Sequence, residues 1–241
     1  MLSKVSAYIK RGAQAFATAT RSRTEGLEDE VRFWDEWFRT KGPQWPDDYQ
    51  NRINPDLPLS EYHRRFIDHL PQEETKILDV GAGPLTLLGK RHPSKRLMIQ
   101  ATDVLAEKYD ELLLKYSIHP AVKTTFAEAE KPTDKFAENT FDLVNARNCL
   151  DHAVNPLEAV RQMLLVTKKG CFAVLDHAEN EGENQGYHGL HQWNLTVVDG
   201  DFIVKGKGHA HAVNVSRRLA HLGDFQCSVK DKWVSVHIRK K

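Results

Sequence analysis

Cysteine is scarce: Cys149, Cys171 and Cys227 are the three cysteines in 241 residues, and they stand far apart. That spacing argues against a disulfide framework or a cysteine zinc cluster and for reduced thiols, hence a reducing, cytoplasmic compartment in which the sequons at Asn194 and Asn214 are incidental. No apolar run approaches the ~20 residues of a membrane-spanning helix. Excess charge is missing too, because 34 Lys and Arg against 33 Asp and Glu leave +1. Such a balance supplies no global field to gather nucleic acid. The length suits one sizeable core with a lid or small insertion.

What the chain does contain is organised around Lys76–Gly89, KILDVGAGPLTLLG. Ile77, Leu78 and Val80 give an apolar run suited to a parallel strand buried on both faces, and Gly81 and Gly83 allow a sharp turn that approaches a ligand closely. Pro84 suits the first turn of a following helix. A dinucleotide fingerprint would need glycine where Thr86 stands, and a phosphate-binding P-loop would need a Gly-Lys-Ser/Thr ending that is absent. Asp103 closes the next apolar run, Arg96–Thr102, about 20 residues past Gly83, the spacing of an acid that accepts from ribose hydroxyls in a β-α-β unit.

The acid and two glycines, Asp79, Gly81 and Gly83, resemble motif I of the class I S-adenosylmethionine-dependent methyltransferases, although Leu85 stands where that family often has a third glycine. The loop after the fourth strand resembles the type 11 pattern. The resemblance implies an α/β fold: a Rossmann-like seven-stranded sheet with helices on both faces. S-adenosylmethionine would lie against Asp79, Gly81, Ala82, Gly83 and Pro84, with Asp103 and Val104 at the ribose, Glu128 and Ala129 at the adenine, and Arg147 beside the loop that passes the sulfonium. Glu130 reads equally well as a solvated loop acid.

In chain order, residues 1–24 carry five basic residues and no acid, which fits a solvated arm, a transit peptide or a basic helix on an anionic membrane. Residues 25–75 read as a helical extension or lid. Val31, Trp34 and Phe38 recur at helical spacing beside Phe33 and Trp37, an aromatic face that packs on the core more readily than on a substrate. Gly42–Leu59, rich in Pro, Asp and Asn, reads as the irregular end of that helix. The catalytic domain spans 76–241. Asn155 reads as an N-cap before Pro156 and Glu158. Asp199-Gly200 turns a hairpin inserted at about 195–205, after strand five. Phe225–Val229 and Trp233–Ile238, too closely joined for a crossover helix, read as antiparallel neighbours.

Asp176–Asn194 is unusual for its imidazoles, aromatics and amides: His177, His188 and His191 alternate with Tyr187, Gln192 and Trp193. Loops at the carboxyl ends of parallel strands bind ligands in such folds. His188, Tyr187, Gln192 and Trp193 are therefore the expected acceptor-binding residues. An acceptor hydroxyl needs a base, and His191 or His152 suits that role, with Asp151 alongside. A metal-assisted route would instead place Mg²⁺ on Asp151 and Asp176 at the ends of strands four and five. The loop at Arg147–His152 lacks the Asn/Asp-Pro-Pro-aromatic turn of amine methylases. The expectation is therefore O-methylation of a small molecule or glycan. Two other readings stand beside it: an RNA or protein methyltransferase docked by the basic arm, and a catalytically silent methyltransferase-like module assembled with a partner enzyme.

Overall fold

The computed structural model describes residues 23–43, 46–209 and 212–241, so most of the basic arm lies outside the described residues. Helix α1 covers 23–40, followed by α2 (Pro46–Ile53) and α3 (Glu61–Arg64). The strand β1 (Glu74–Val80) then opens an alternation of β2 (Arg96–Asp103), α4 (Ala106–Lys115), β3 (Thr124–Phe126), β4 (Phe141–Arg147), α5 (Pro156–Val166) and β5 (Thr167–Ala178). After a short α6 (Glu181–Asn184) come β6 (Trp193–Val198), β7 (Asp201–Gly206), β8 (Val213–Asn214), α7 (Val215–Arg218), β9 (Gly223–Lys230) and β10 (Trp233–Lys240).

Seven strands form one sheet in the order β3-β2-β1-β4-β5-β10-β9. The first five are parallel, and β10 is antiparallel to both β5 and β9. Alternation along the central strands explains how both faces are buried. Leu78, Val80, Val144, Ala146, Ala173 and Leu175 point to one side, where α5 supplies Val160, Met163 and Leu164. Ile77, Leu143 and Val174 point to the other, against Leu59, Phe66 and Ile67. Asn155 caps α5 by accepting from the Glu158 N–H at 3.2 Å, as its position in the sequence predicts.

The hairpin turned by Asp199-Gly200 pairs Val198 with Asp201, and β8 adds a third strand to it. It is a layer of the core: Leu195, Phe202, Val204, Val215 and Leu219 join Val234, Val236 and Ile238 in one buried cluster. After β8 the chain makes only the four-residue helix α7 before β9.

Two expectations for the N-terminal half are corrected. Gly42–Leu59 contains the helix α2, with Asp47 and Asp48 in its first turn and Arg52 in its last, where acids and bases oppose the helix dipole. No helix follows Pro84; residues 81–90 run as turns and bends. The physical reason lies in where their carbonyls go. Arg52 Nη1 donates to Leu85 O and, at 3.4 Å, to Ala82 O, while Lys90 Nζ donates to Thr86 O at 3.3 Å. Cationic side chains thus take carbonyls that a helix would have offered to N–H groups four residues on. Gly89 then lets the strap at Pro58 lie against the segment, since a Cβ there would meet Pro58 O at 2.1 Å.

Helix α1 closes this end of the molecule. Trp34, Trp37 and Phe38 are buried with Leu85, Leu105, Tyr109 and Leu112, and Trp34 meets Trp37 and Tyr109 edge to face. The aromatic stripe packs on the core, as expected. Among the described residues no helix is long and apolar enough to cross a membrane.

Candidate functional site

At the carboxyl ends of the parallel strands lies a cavity of about 830 Å³, walled on one side by α1 and on another by the loop after β5. Its floor is the β1 turn. Gly81 and Gly83 both have positive φ, 64° and 67°, a conformation that favours glycine. Space forbids a side chain as well: a Cβ on Gly81 would sit 2.5 Å from the Cβ of Cys149, and one on Gly83 would sit 2.9 Å from Cζ2 of Trp34. Gly81→Ala is accordingly expected to lose about 2–4 kcal/mol of stability in chemical denaturation, from left-handed strain plus overpacking. A variant as stable as the native protein would show that the turn relaxes freely.

Asp79 is buried behind this turn. Its carboxylate accepts from Thr86 Oγ1 at 2.5 Å and from Asn145 Nδ2 at 2.7 Å, which fixes the strand end to β4. Burial raises its pKa despite those bonds. Asp103 joins the two turns, accepting from Gly83 N–H at 3.1 Å and from Leu105 N–H at 3.0 Å. Desolvation pushes its pKa up to about 6, against the pull of the two N–H groups.

Arg52 reaches the cavity from α2, stacked at 5.2 Å over Trp34 and paired with Asp48 at 2.9 Å. Sequence reading missed it because its segment looked irregular. Trp34 and Trp37 contribute cavity wall as well as core, and the exposed Phe33 contributes wall.

The wall of the same cavity holds His152 and His191, part of a cluster made by two loops. A 3-10 turn, Leu150–His152, follows β4, and His191 comes from the loop after β5. His191 Nδ1 lies 2.7 Å from Asp151 Oδ2 and 3.1 Å from His152 Nε2, with His152 Nε2 at 3.5 Å from the same carboxylate oxygen. Asp151 is 1% exposed, whereas both imidazoles are half-buried at the cavity wall. Burial alone would lower the pKa of His191, but the hydrogen bond and charge of Asp151 outweigh it and leave it raised. Burial likewise pushes Asp151 up, and the imidazoles outweigh it and hold the carboxyl below its usual range.

Of the residues singled out in the sequence, the structure lines this one cavity with Asp79, Gly81, Ala82, Gly83, Asp103, Val104, Ala129, Arg147, His152, His188 and His191. Pro84 is buried outside the lining. Glu128 also stands outside it, paired with Lys131 at 2.9 Å; Glu130 lines the wall instead and accepts from Asn155 N–H at 3.0 Å. Tyr187, Gln192 and Trp193 hold the loop rather than face the cavity. Tyr187 Oη accepts from Asn194, Gln192 donates to the carbonyls of Tyr187 and Gly189, and Trp193 Nε1 donates to Ala153 O at 2.8 Å. Asp176 does not join Asp151. Its Oδ1 accepts from Tyr62 Oη at 2.8 Å and from Ser235 Oγ at 2.6 Å, so the expected Asp151–Asp176 pair for Mg²⁺ is not assembled.

No protein-family model matches the sequence, and no curated protein matches it. Among solved structures, a putative S-adenosylmethionine-dependent methyltransferase from Methanococcus maripaludis superposes with a TM-score of 0.52 at 13% identity, over 88% of this chain and 92% of that one. The CMeT domain of the citrinin polyketide synthase superposes with a TM-score of 0.50 at 16% identity, over 74% of this chain and 50% of that one. Strand order and superposition agree: the chain has the class I S-adenosylmethionine-dependent methyltransferase fold.

Proposed function

We propose that this protein binds S-adenosylmethionine and transfers its methyl group to a hydroxyl of a small molecule or glycan. One observation carries the reading: the Gly81–Gly83 turn, Asp103, His152 and His191 line a single cavity, with buried Asp151 bonded to His191. The turn suits the amino-acid portion of the cofactor, and Asp103, held by two backbone N–H groups, suits the ribose hydroxyls. Ala127 and Ala129 offer an apolar wall for the adenine. Arg52, brought in by α2, is placed to meet the cofactor carboxylate.

Methyl transfer to a hydroxyl is an in-line displacement at the sulfonium carbon: the C–O bond forms as the C–S bond breaks, and the hydroxyl proton must leave. The Asp151–His152–His191 cluster provides for that proton. His191, backed by Asp151, has the dyad arrangement of a general base, and His152 packs against it with ring centroids 4.5 Å apart. The amine-binding turn of N-methylases has no counterpart in Arg147–His152, which favours an oxygen acceptor.

Two measurements test this. Calorimetry is expected to show one site each for S-adenosylmethionine and S-adenosylhomocysteine, and no comparable binding of NAD. Incubating the protein with methyl-labelled cofactor and a fractionated cell extract is expected to place label in small molecules or glycans. Label confined to RNA or protein would overturn the acceptor assignment, and cofactor binding without any transfer would indicate a catalytically silent module.

A further inference from the structure

We infer that Asp151, His152 and His191 form a binding site for one divalent transition-metal ion at the cavity wall. His191 Nδ1, His152 Nε2 and Asp151 Oδ2 stand 2.7, 3.1 and 3.5 Å from one another. Three ligands at metal bonds of ~2.1 Å would be ~3.0 Å apart on one face of an octahedron and ~3.4 Å apart in a tetrahedron. The three atoms therefore already have the spacing of a facial ligand set.

Hydrogen bonding alone accounts poorly for this triangle. If His191 Nδ1 carries a proton, it can serve Asp151 at 2.7 Å, and His152 Nε2 is left with a shared part of it or with the 3.5 Å contact to the carboxylate. An ion lying just off the plane of the three atoms would accept a lone pair from each. The burial of Asp151 points the same way. Its side chain is 1% exposed, its ion-pair partners are imidazoles that are cationic only when protonated, and its other oxygen, Oδ1, is buried without a hydrogen-bond partner among the described residues. A buried carboxylate so placed needs a positive charge nearby.

The ligand types choose the metal. Two imidazoles and one carboxylate suit Zn²⁺, Mn²⁺, Fe²⁺ or Co²⁺, whereas Mg²⁺ and Ca²⁺ prefer an all-oxygen shell. The ligands are also held in place before any ion arrives. Gln192 N–H donates to Asp151 O at 3.0 Å, His152 N–H donates to Cys149 O at 3.1 Å, and the Trp193–Ala153 hydrogen bond fastens the His191 loop to the 3-10 turn. Gln192 and Trp193 are thus positioning residues for the site. Three protein ligands leave positions open toward the cavity; with the ion bound, His191 Nδ1 would give its lone pair to the metal instead of sharing a proton with Asp151, and an acceptor hydroxyl on the ion would shed its proton more readily.

This inference deepens the proposed function, and its test reads metal binding in the absence of cofactor and acceptor. Full-length protein stripped with chelator is titrated with Co²⁺, followed by its visible absorption, and equilibrated with Zn²⁺ for elemental analysis after dialysis. The expected result is one equivalent of either ion. Asp151→Asn and His191→Ala should weaken binding by more than the ~10–100-fold that follows loss of an outer-sphere partner. His188→Ala, in the same cavity but outside the cluster, and the double variant His119→Ala/His221→Ala, at exposed positions outside the cavity lining, should each keep the full equivalent. Circular dichroism and S-adenosylhomocysteine binding establish that each variant is folded. Native protein that takes up neither ion, or cluster variants that bind as well as native, would overturn the site. Methyl transfer that persists undiminished in chelator would leave the proposed function standing and remove the metal from it. One bound ion in a protein that fails to bind S-adenosylmethionine would do the reverse.

Discussion

His191→Ala is expected to bind S-adenosylmethionine as the native protein does and to transfer methyl ~10²–10⁴-fold more slowly, the usual worth of a positioned proton acceptor. His191 hydrogen-bonds within the cluster of Asp151 and His152, whereas Asp103 accepts from Gly83 and Leu105 N–H, so the two side chains act through different contacts. Asp151→Asn should approach the same loss, because it removes the charge that raises His191. It also leaves an amide in a site that is 1% exposed, so its melting temperature must be followed alongside. Asp176→Asn supplies the contrast. That carboxylate is bound by Tyr62 and Ser235, so the change should lower stability and leave turnover close to native. Single-turnover rates in saturating cofactor separate these effects from binding. A His191→Ala rate within a few-fold of native, or an Asp176→Asn rate as depressed as that of Asp151→Asn, would place the chemistry elsewhere.

The parts of the fold that depend on local pattern were legible in the sequence. Apolar alternation marked the buried strands, Asn155 its helix start, and Asp199-Gly200 its hairpin, because each is decided by a few adjacent residues. What was not legible depends on partners far along the chain. Pro84 looks like a helix start, yet Arg52, some thirty positions earlier, and Lys90 claim the carbonyls the helix would use. At the acidic exit of β3, Glu128 pairs with its neighbour Lys131, whereas Glu130 lines the cavity and accepts from the distant Asn155 N–H. The same holds at the site. Asp103 could be picked out by its spacing from Gly83 at the end of β2, and it lines the cavity, but that Asp151 meets His191 rather than Asp176 is set by how the loop after β5 folds back. Tyr187, Gln192 and Trp193 were recognisable as unusual; that they fasten the loop became visible only with their carbonyl partners in place. The basic arm's proposed roles fall outside the described residues except at its end, where Arg23 donates to His152 O at 3.3 Å.

Asp103 should show opposite effects on stability and on binding. Its carboxyl has a pKa of about 6 in the folded protein because it is desolvated, against 3.8 ordinarily. The folded state therefore holds more protons than the unfolded chain between those values, and stability falls as pH rises from about 4 through 6. By pH 7 the penalty is complete, at most about 3 kcal/mol. Asp103→Asn cannot ionise, so it escapes this penalty, although its amide nitrogen can no longer accept from both Gly83 and Leu105. The stability of the variant relative to native should therefore rise by up to about 3 kcal/mol between pH 4 and pH 7, measured by denaturant titration at each pH. Cofactor binding should move the other way. At pH 7 the ribose hydroxyls lose a charged acceptor in the variant, worth about 1.5–3 kcal/mol, or roughly 10–150-fold in Kd. Native affinity should also weaken as pH falls through 6, while that of the variant stays level across the same range. A native-to-variant stability difference that is constant from pH 4 to 7 would refute the buried ionisation, and equal affinities at pH 7 would refute the ribose contact.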